Sequence, residues 1–186
     1  MYVCHNLRLV YLAVPRTASR SIAQYLTERH NAVPEGKNHM PGGHHGINVP
    51  VLEQCQADGY RVVSVVRNPW DYMVSWWHHG QHWLKTNGWS EYLRVWPVSE
   101  KNRYHLNGRP FLRWTQVSTD IIRYEELLPG LEEILGEVVQ LPRKGISDDR
   151  KPYHTYYNEE DRQFIADWYA PEIEEYGYRF EGEVDQ

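Results

Sequence analysis

The chain has 186 residues, the size of one ordinary domain, and a formal net charge of −5. Hydrophobic residues make up 41% and charged residues 24%, which is enough apolar material for a packed core and excludes a disordered or collagen-like chain. The negative net charge argues against a nucleic-acid-binding protein held by bulk charge. Any anion-binding site must therefore be a local concentration of positive charge.

Cysteine usage and the N-terminal segment favour a cytoplasmic protein. Cys4 and Cys55 form neither a disulfide framework nor a metal motif, which fits two reduced thiols. No signal peptide precedes the strand-like segment at the N-terminus, and no apolar run approaches the roughly 18 residues of a membrane span. We therefore expect one soluble cytoplasmic domain, residues 1–186, with no membrane or nucleic-acid partner. The sequence does not indicate the oligomeric state.

Three short runs of the sequence predict buried β-strands. Each is apolar or rich in residues that favour strands, and each is followed by turn-forming or polar residues. The predicted strands are residues 7–14, 61–66 and 118–123.

Two helices are predicted directly after the first two strands. Apolar residues recur at helical spacing over residues 19–30, with polar residues on the other face. A second helix begins after Asn68, a good N-cap, with Pro69 at its first position, and extends to about residue 79.

The rest of the chain alternates between loops and helices. Asn158 caps a long predicted helix that ends at Gly177. The predicted helices of this part are residues 51–57, 130–139 and 159–175. Residues 32–50 and 141–157 are predicted to be loops, and residues 80–116 are predicted to be a mixture of short helices and loops.

Alternating strands and helices are typical of an α/β fold. We expect a three-layer sandwich in which helices cover both faces of a central parallel sheet. Ligands of such sheets bind beyond the carboxyl ends of the strands. The turns at 15–21 and 67–71 follow two predicted strands, so we expect both turns to face one crevice.

The first of these turns, PRTASRS, favours phosphate binding. A helix N-terminus exposes unpaired N–H groups and the positive end of a dipole. Arg16 adds a fixed charge, and Thr17, Ser19 and Ser21 add hydroxyl donors. The nucleotide-binding pattern GxxxxGK[ST] does not occur, so a standard ATP or GTP site is not indicated.

The second turn begins the stretch RNPWDYMVS, residues 67–75. Arg67 again follows a buried strand, and Ser75 lies about two turns into the next helix. These two side chains can bind a further phosphate. A ligand with two separated phosphates would then lie across the two strand ends.

Together these stretches resemble the sulfotransferases that use 3′-phosphoadenosine 5′-phosphosulfate (PAPS), which have a P-loop NTPase-like fold. PRTASRSI is similar to the family's 5′-phosphosulfate loop, and RNPWDYMVS to its 3′-phosphate motif. Two later stretches also resemble family segments: IIRYEEL, and the C-terminal run that ends in YGYRF. These four segments are residues 15–22, 67–75, 121–127 and 156–180.

The resemblance implies a role for each residue that matches a motif. Arg16 and the N–H groups of residues 17–21 would bind the 5′-phosphate, and Arg16 would stabilise charge on the leaving group. The residues implied in 5′-phosphate binding are Arg16, Thr17, Ala18, Ser19, Arg20 and Ser21. At the 3′-phosphate, the resemblance implies that Arg67 and Ser75 bind it and that Arg150 and Lys151 close over it. It also implies that Tyr124 contacts the cofactor.

Two positions of the loop depart from the family pattern. Arg16 stands where the family has lysine, which keeps the charge and changes its geometry. Ala18 stands where the family has glycine, so the backbone approaches a ligand less closely. The chain is also shorter than most members, so we expect the segments that cover the substrate to be reduced.

A hydroxyl acceptor needs a general base, and histidine suits this task. The segment PGGHHGI resembles the one that carries the base histidine in the carbohydrate-type branch of the family; its alignment favours His44, with His45 as the alternative. We expect no metal site, because the adjacent His78 and His79 diverge by about 100° on a helix and no HExxH or Cys/His pairing occurs.

The sequence thus predicts transfer of a sulfuryl group from PAPS to a small-molecule or glycan hydroxyl acceptor. The richness in Trp and Tyr favours a carbohydrate-like or aromatic alcohol. Two alternatives stay open: a P-loop type nucleotide-dependent kinase, and a non-catalytic module that binds PAP (the desulfated product) or a polysaccharide.

Overall fold

A computed structural model describes residues 1–35, 46–80, 86–96, 109–144 and 150–181. The chain divides into two compact units. The first unit comprises Met1–Val66 and Trp114–Ile146, and the second comprises Arg67–Arg113 and Ser147–Gln186. The candidate bases His44 and His45 lie outside the described residues.

The first unit contains a five-stranded sheet. Its strands are β1 (Tyr2–Cys4), β2 (Leu9–Leu12), β3 (Val33–Pro34), β4 (Arg61–Val66) and β5 (Asp120–Arg123), in the order β3-β1-β2-β4-β5. The three predicted strands correspond to β2, β4 and β5, which run parallel to one another.

The sheet is mixed, which corrects the prediction of a parallel sheet. β1 pairs antiparallel with β2, and β3 pairs antiparallel with β1. The reason is the length of the connection between β1 and β2, a single 3-10 turn at His5–Leu7 closed by Arg8 in the left-handed conformation. A parallel pair needs a crossover of a dozen residues or more, so this short link forces an antiparallel hairpin.

Eight α-helices occur within the described residues. They are α1 (Ser19–His30), α2 (Val49–Ala57), α3 (Pro69–Gly80), α4 (Trp89–Val95), α5 (Leu112–Thr115), α6 (Leu127–Leu135), α7 (Glu159–Trp168) and α8 (Ala170–Tyr176). Among them, no helix is both long enough and apolar enough to cross a membrane.

The core of the first unit lies between one face of the sheet and helices α1 and α6. Tyr11 and Val63 contribute from the sheet, Ile22 from α1 and Leu131 from α6. Helix α6 approaches β5 closely at Gly130, where a Cβ would lie 2.7 Å from Cγ2 of Ile122. This packing fixes the start of α1 relative to the parallel strands, and the start of α1 carries the first predicted phosphate-binding turn.

The core of the second unit is largely aromatic. Trp76 of α3 packs against Trp96 with ring centroids 4.8 Å apart, and Tyr72 meets Phe111 edge to face at 5.0 Å. Tyr92 of α4 stacks on Trp96 at 5.7 Å. All five rings are buried. They are core residues of the second unit, so they give no support for an aromatic or carbohydrate acceptor.

The long helix predicted over residues 159–175 is two helices, and this part of the prediction is wrong. Asn158 does cap α7, accepting from the Asp161 N–H at 2.7 Å, and Gly177 does end α8 in the left-handed conformation. The break at Tyr169 arises because Pro171 has no N–H to donate to the preceding turn, although it fits the first turn of a new helix.

Candidate anion-binding site

The turn between β2 and α1, residues 15–21, has an alternating backbone. Arg16 has a φ of 63° and Ala18 a φ of 58°, whereas Thr17 and Ser19 are not in the positive-φ region. Nests, which bind anions through successive backbone N–H groups, are built from alternating backbone conformations. The alternating φ values of this turn therefore fit an anion-binding nest, although the turn contains no glycine.

The start of α1 adds to this property. Its N-cap is Ala18, which provides no side-chain hydrogen bond to the first turn, and that turn contains no acidic residue. The first N–H groups and the positive dipole end of α1 are thus not neutralised by a capping side chain. A phosphate bound here would supply the missing acceptor.

The hydroxyl groups of the loop are less available than the sequence suggested. The side chain of Thr17 is fully buried, and its Oγ1 donates to the carbonyl of Val14 at 2.9 Å. Ser19 and Ser21 are also buried. Burial raises the pKa of Tyr11, which interacts with Thr17. The Thr17 hydroxyl thus holds the loop, and the backbone N–H groups are the better candidates for ligand contact.

Arg16, Arg20 and Tyr124, which were predicted to contact the cofactor at or near this loop, all belong to the first unit. Arg16 is partly exposed and Arg20 is exposed. Tyr124 directly follows β5 and begins a 3-10 turn; like Ala18, it packs against the core of the first unit. Because β2 and β5 are both parallel to β4, the loop and Tyr124 lie at the same edge of the sheet.

The second unit brings together two arginines, Arg67 and Arg150, to which the resemblance to sulfotransferases gives a role at the 3′-phosphate. Arg67 contacts Oδ2 of Asp71 through Nε at 2.7 Å and through Nη2 at 2.6 Å. Arg150 forms an ion pair with the other oxygen, Oδ1, and donates to the backbone carbonyl of Asp71 at 3.3 Å. The side chains are 5%, 16% and 22% exposed for Arg67, Asp71 and Arg150.

Helix α3 explains why these groups meet. Asn68 caps the helix, its Oδ1 accepting from the N–H of Trp70 at 3.1 Å, which places Arg67 immediately before the first turn. Asp71 and Ser75 are four residues apart on α3 and so share one face, and Ser75 is buried. Lys151 is exposed, and its N–H donates to the Tyr156 hydroxyl at 3.2 Å.

Sequence reasoning missed Asp71. Its carboxylate joins Arg67 and Arg150, yet only the arginines were assigned a role. The available signal was the spacing, because residues four apart at a helix start can form an ion pair. Proximity to Arg150 could not be read from the sequence, since 79 positions separate the two residues.

Two expectations stay predictions: the identity of the catalytic base, and the binding of one ligand by both the 15–21 turn and the 67–71 turn. His44 and His45 lie outside the described residues. The 15–21 loop belongs to the first unit and the Arg67–Asp71–Arg150 cluster to the second, so the single crevice predicted from the sequence is not tested. Within the part of the chain that the structure describes, no group of three His, Cys, Asp or Glu side chains could hold a metal ion.

Comparison with known proteins leaves the family open. The chain matches no protein-family model and no curated protein.

Proposed function

We propose that this protein transfers the sulfuryl group of PAPS to a hydroxyl acceptor. The observation that carries the proposal is the joining of Arg67 and Arg150 on Asp71, because the resemblance to sulfotransferases implies that these two arginines, which are far apart in the chain, bind one phosphate. The alternating 15–21 loop supplies a second, different anion-binding arrangement. A ligand with phosphates at its 3′ and 5′ positions would bind the two arginines through its 3′-phosphate and the 15–21 loop through its 5′-phosphate.

Each group has a role in this reaction. The loop N–H groups and Arg16 hold the 5′-phosphosulfate, and Arg67, Ser75, Arg150 and Lys151 hold the 3′-phosphate. As the acceptor oxygen bonds to sulfur, the bond from sulfur to the bridging oxygen breaks and PAP leaves. Negative charge grows on that bridging oxygen, so a fixed guanidinium there lowers the barrier. A histidine, His44 or His45, takes the acceptor's proton.

The experiment is a thermal-shift and calorimetric comparison of PAP, AMP, ADP and ATP. We expect PAP to bind far more tightly than AMP, because only PAP carries a 3′-phosphate. A charge-assisted hydrogen bond contributes roughly 1.5–3 kcal/mol, so Arg67→Ala should weaken PAP by about 10-fold or more and leave AMP nearly unchanged.

Arg61→Ala is the matched control. Arg61 begins β4 and Arg67 follows its last residue, so the two arginines flank opposite ends of one strand. We expect Arg61→Ala to retain the preference for PAP. Equal binding of PAP and AMP by the unaltered protein would refute the proposal, Mg²⁺-dependent ATP turnover would indicate the kinase, and PAP binding without turnover would indicate the non-catalytic module.

A further inference from the structure

Asp71 gives each of its oxygens to a different arginine. Oδ2 serves Arg67 and Oδ1 serves Arg150. Two guanidinium groups on one carboxylate are held close enough for one phosphate to contact both, since phosphate and carboxylate oxygens have similar spacing. The arrangement resembles a phosphate receptor whose two cations are already placed.

The charges explain why a carboxylate is needed there. Arg67 is almost fully buried, so its charge is poorly solvated. A second cation, Arg150, nearby would repel it strongly in a medium of low dielectric constant. Asp71 offsets this repulsion and leaves the three side chains with a net charge of about +1, which still attracts an anion.

A second aspartate shows what a purely structural role looks like. Asp161 is the third residue after Asn158, the N-cap of α7, as Asp71 is the third after Asn68. Asp161 is likewise ion-paired, with Arg94 at 2.6 Å, and it is 1% exposed against 16% for Asp71. An acid in the first turn stabilises a helix through its dipole. Asp71 differs because its two oxygens bind two arginines, Arg67 and Arg150, whereas the second oxygen of Asp161 accepts from the Ser90 hydroxyl.

That segment is attached to α3 at further points. The Tyr156 hydroxyl lies 2.7 Å from Nε2 of His78, and the Tyr157 hydroxyl donates to the Trp70 carbonyl at 2.9 Å. Burial raises the pKa of Tyr157, which keeps it a neutral donor. These contacts hold the segment on α3, and the contact between Arg150 and Asp71 places its cation beside Arg67.

We propose that Asp71 is a positioning residue that holds Arg67 and Arg150 side by side as one receptor for a terminal phosphate. This inference rests on the proposed function and extends it to a residue that the sequence motif did not explain. The alternative is that the Asp71 carboxylate competes with phosphate for the arginines and weakens binding. The two effects predict opposite changes on substitution.

The test is Asp71→Asn, measured as the ratio of PAP to AMP affinity. Asparagine has nearly the same shape, but an NH₂ donor replaces one of the two carboxylate oxygens, so one of the two arginines faces a donor in place of its acceptor. We expect PAP affinity to fall by about 10-fold and AMP affinity to change by less than about threefold. In the background of Arg67→Ala, the same change should cost less than about twofold.

Asp161→Asn is the matched control. We expect it to lower the unfolding temperature at least as much as Asp71→Asn, because both remove a carboxylate from an arginine at the same helix position and Asp161 is the more buried of the two. Its PAP to AMP ratio should equal that of the unaltered protein. Arg150→Gln is a second arm for the case in which Asp71→Asn does not fold, and it should also lose the preference for PAP.

Each outcome decides the inference. Tighter PAP binding by Asp71→Asn would show competition and overturn it, as would parallel losses for PAP and AMP, which show general damage. A preference for PAP that survives Arg150→Gln would overturn it too. If the unaltered protein does not prefer PAP, the proposed function fails and the inference fails with it; if it does and Asp71→Asn keeps the preference, the inference fails alone.

Discussion

The left-handed conformation of Ala18 leads to a prediction of opposite sign for two similar substitutions. Ala18 has a φ of 58°, and this region costs a residue with a Cβ roughly 1–2 kcal/mol. Glycine avoids that cost but loses about 0.5–1 kcal/mol through the greater freedom of the unfolded chain. The methyl group also packs against the core of the first unit. We therefore expect Ala18→Gly to stabilise the protein by about 0.5 kcal/mol.

Thermal unfolding measures this effect directly. For a chain of 186 residues, 1 kcal/mol corresponds to about 2–4 °C, so Ala18→Gly should raise the unfolding temperature by roughly 1–2 °C. The control is Ala23→Gly, which removes a buried methyl in the middle of α1. It should cost about 1–2 kcal/mol. Destabilisation by Ala18→Gly equal to that of Ala23→Gly would refute the left-handed assignment and, with it, the anion-binding form of the loop.

Three further predictions concern chemistry and pH. Arg16→Ala should lower turnover more than PAP affinity, because its charge meets charge that grows in the transition state, while Arg16→Lys should retain activity; equal losses from Arg16→Ala would reduce Arg16 to a binding residue. His44→Ala should lower turnover at least about 100-fold with PAP affinity within about threefold, and His45→Ala should cost much less; kinetics that show the reverse would make His45 the base. The hydrogen bond from Arg61 lowers the pKa of Asp120 below its ordinary value of 3.8, so this partly exposed pair stabilises the fold above that pH by up to about 1 kcal/mol, and the stabilisation is lost as the pH falls. The free energy of unfolding, measured in urea at pH 6 and pH 3, should therefore fall less between the two pH values for Arg61→Gln than for the unaltered protein. An equal fall in both proteins would contradict the assignment.

The sequence predicted those helices and strands whose bounds are set by apolar spacing and turn residues within the segment itself. Helix α1 and strand β4 have the predicted bounds, because their apolar spacing and turn residues agree with the final packing. β1 and β3 were not predicted as strands, since they have only three and two residues and no alternation to read. Their pairing depends on the hairpin beside β2, which is a tertiary contact. The mixed sheet therefore could not be deduced from strands and helices that alternate along the chain.

The candidate site divides in the same way. The positions of Arg16 in the turn after β2 and of Arg67 directly after β4 followed from the sequence, because both are fixed by short connections. The meeting of Arg67 with Arg150 was expected only from a family resemblance. The alternating backbone of the 15–21 loop was not predicted, and the departure at Ala18 argued against close backbone approach. The structure shows that alanine adopts the left-handed conformation there, so this conformation does not require a glycine.

Charge shows why global composition is a poor guide to this chain's ligand. The net charge of −5 argues against a nucleic-acid-binding protein held by bulk charge but says little about one site, because exposed charges are screened beyond about 8–10 Å at physiological salt. The acidic residues Glu159 and Glu160 lie in the first turn of α7, where a helix favours them. The first turn of α1 contains none, and its cap residue contributes no acceptor. The start of α7 therefore has acidic side chains that offset the positive end of its dipole, whereas the first turn of α1 has none.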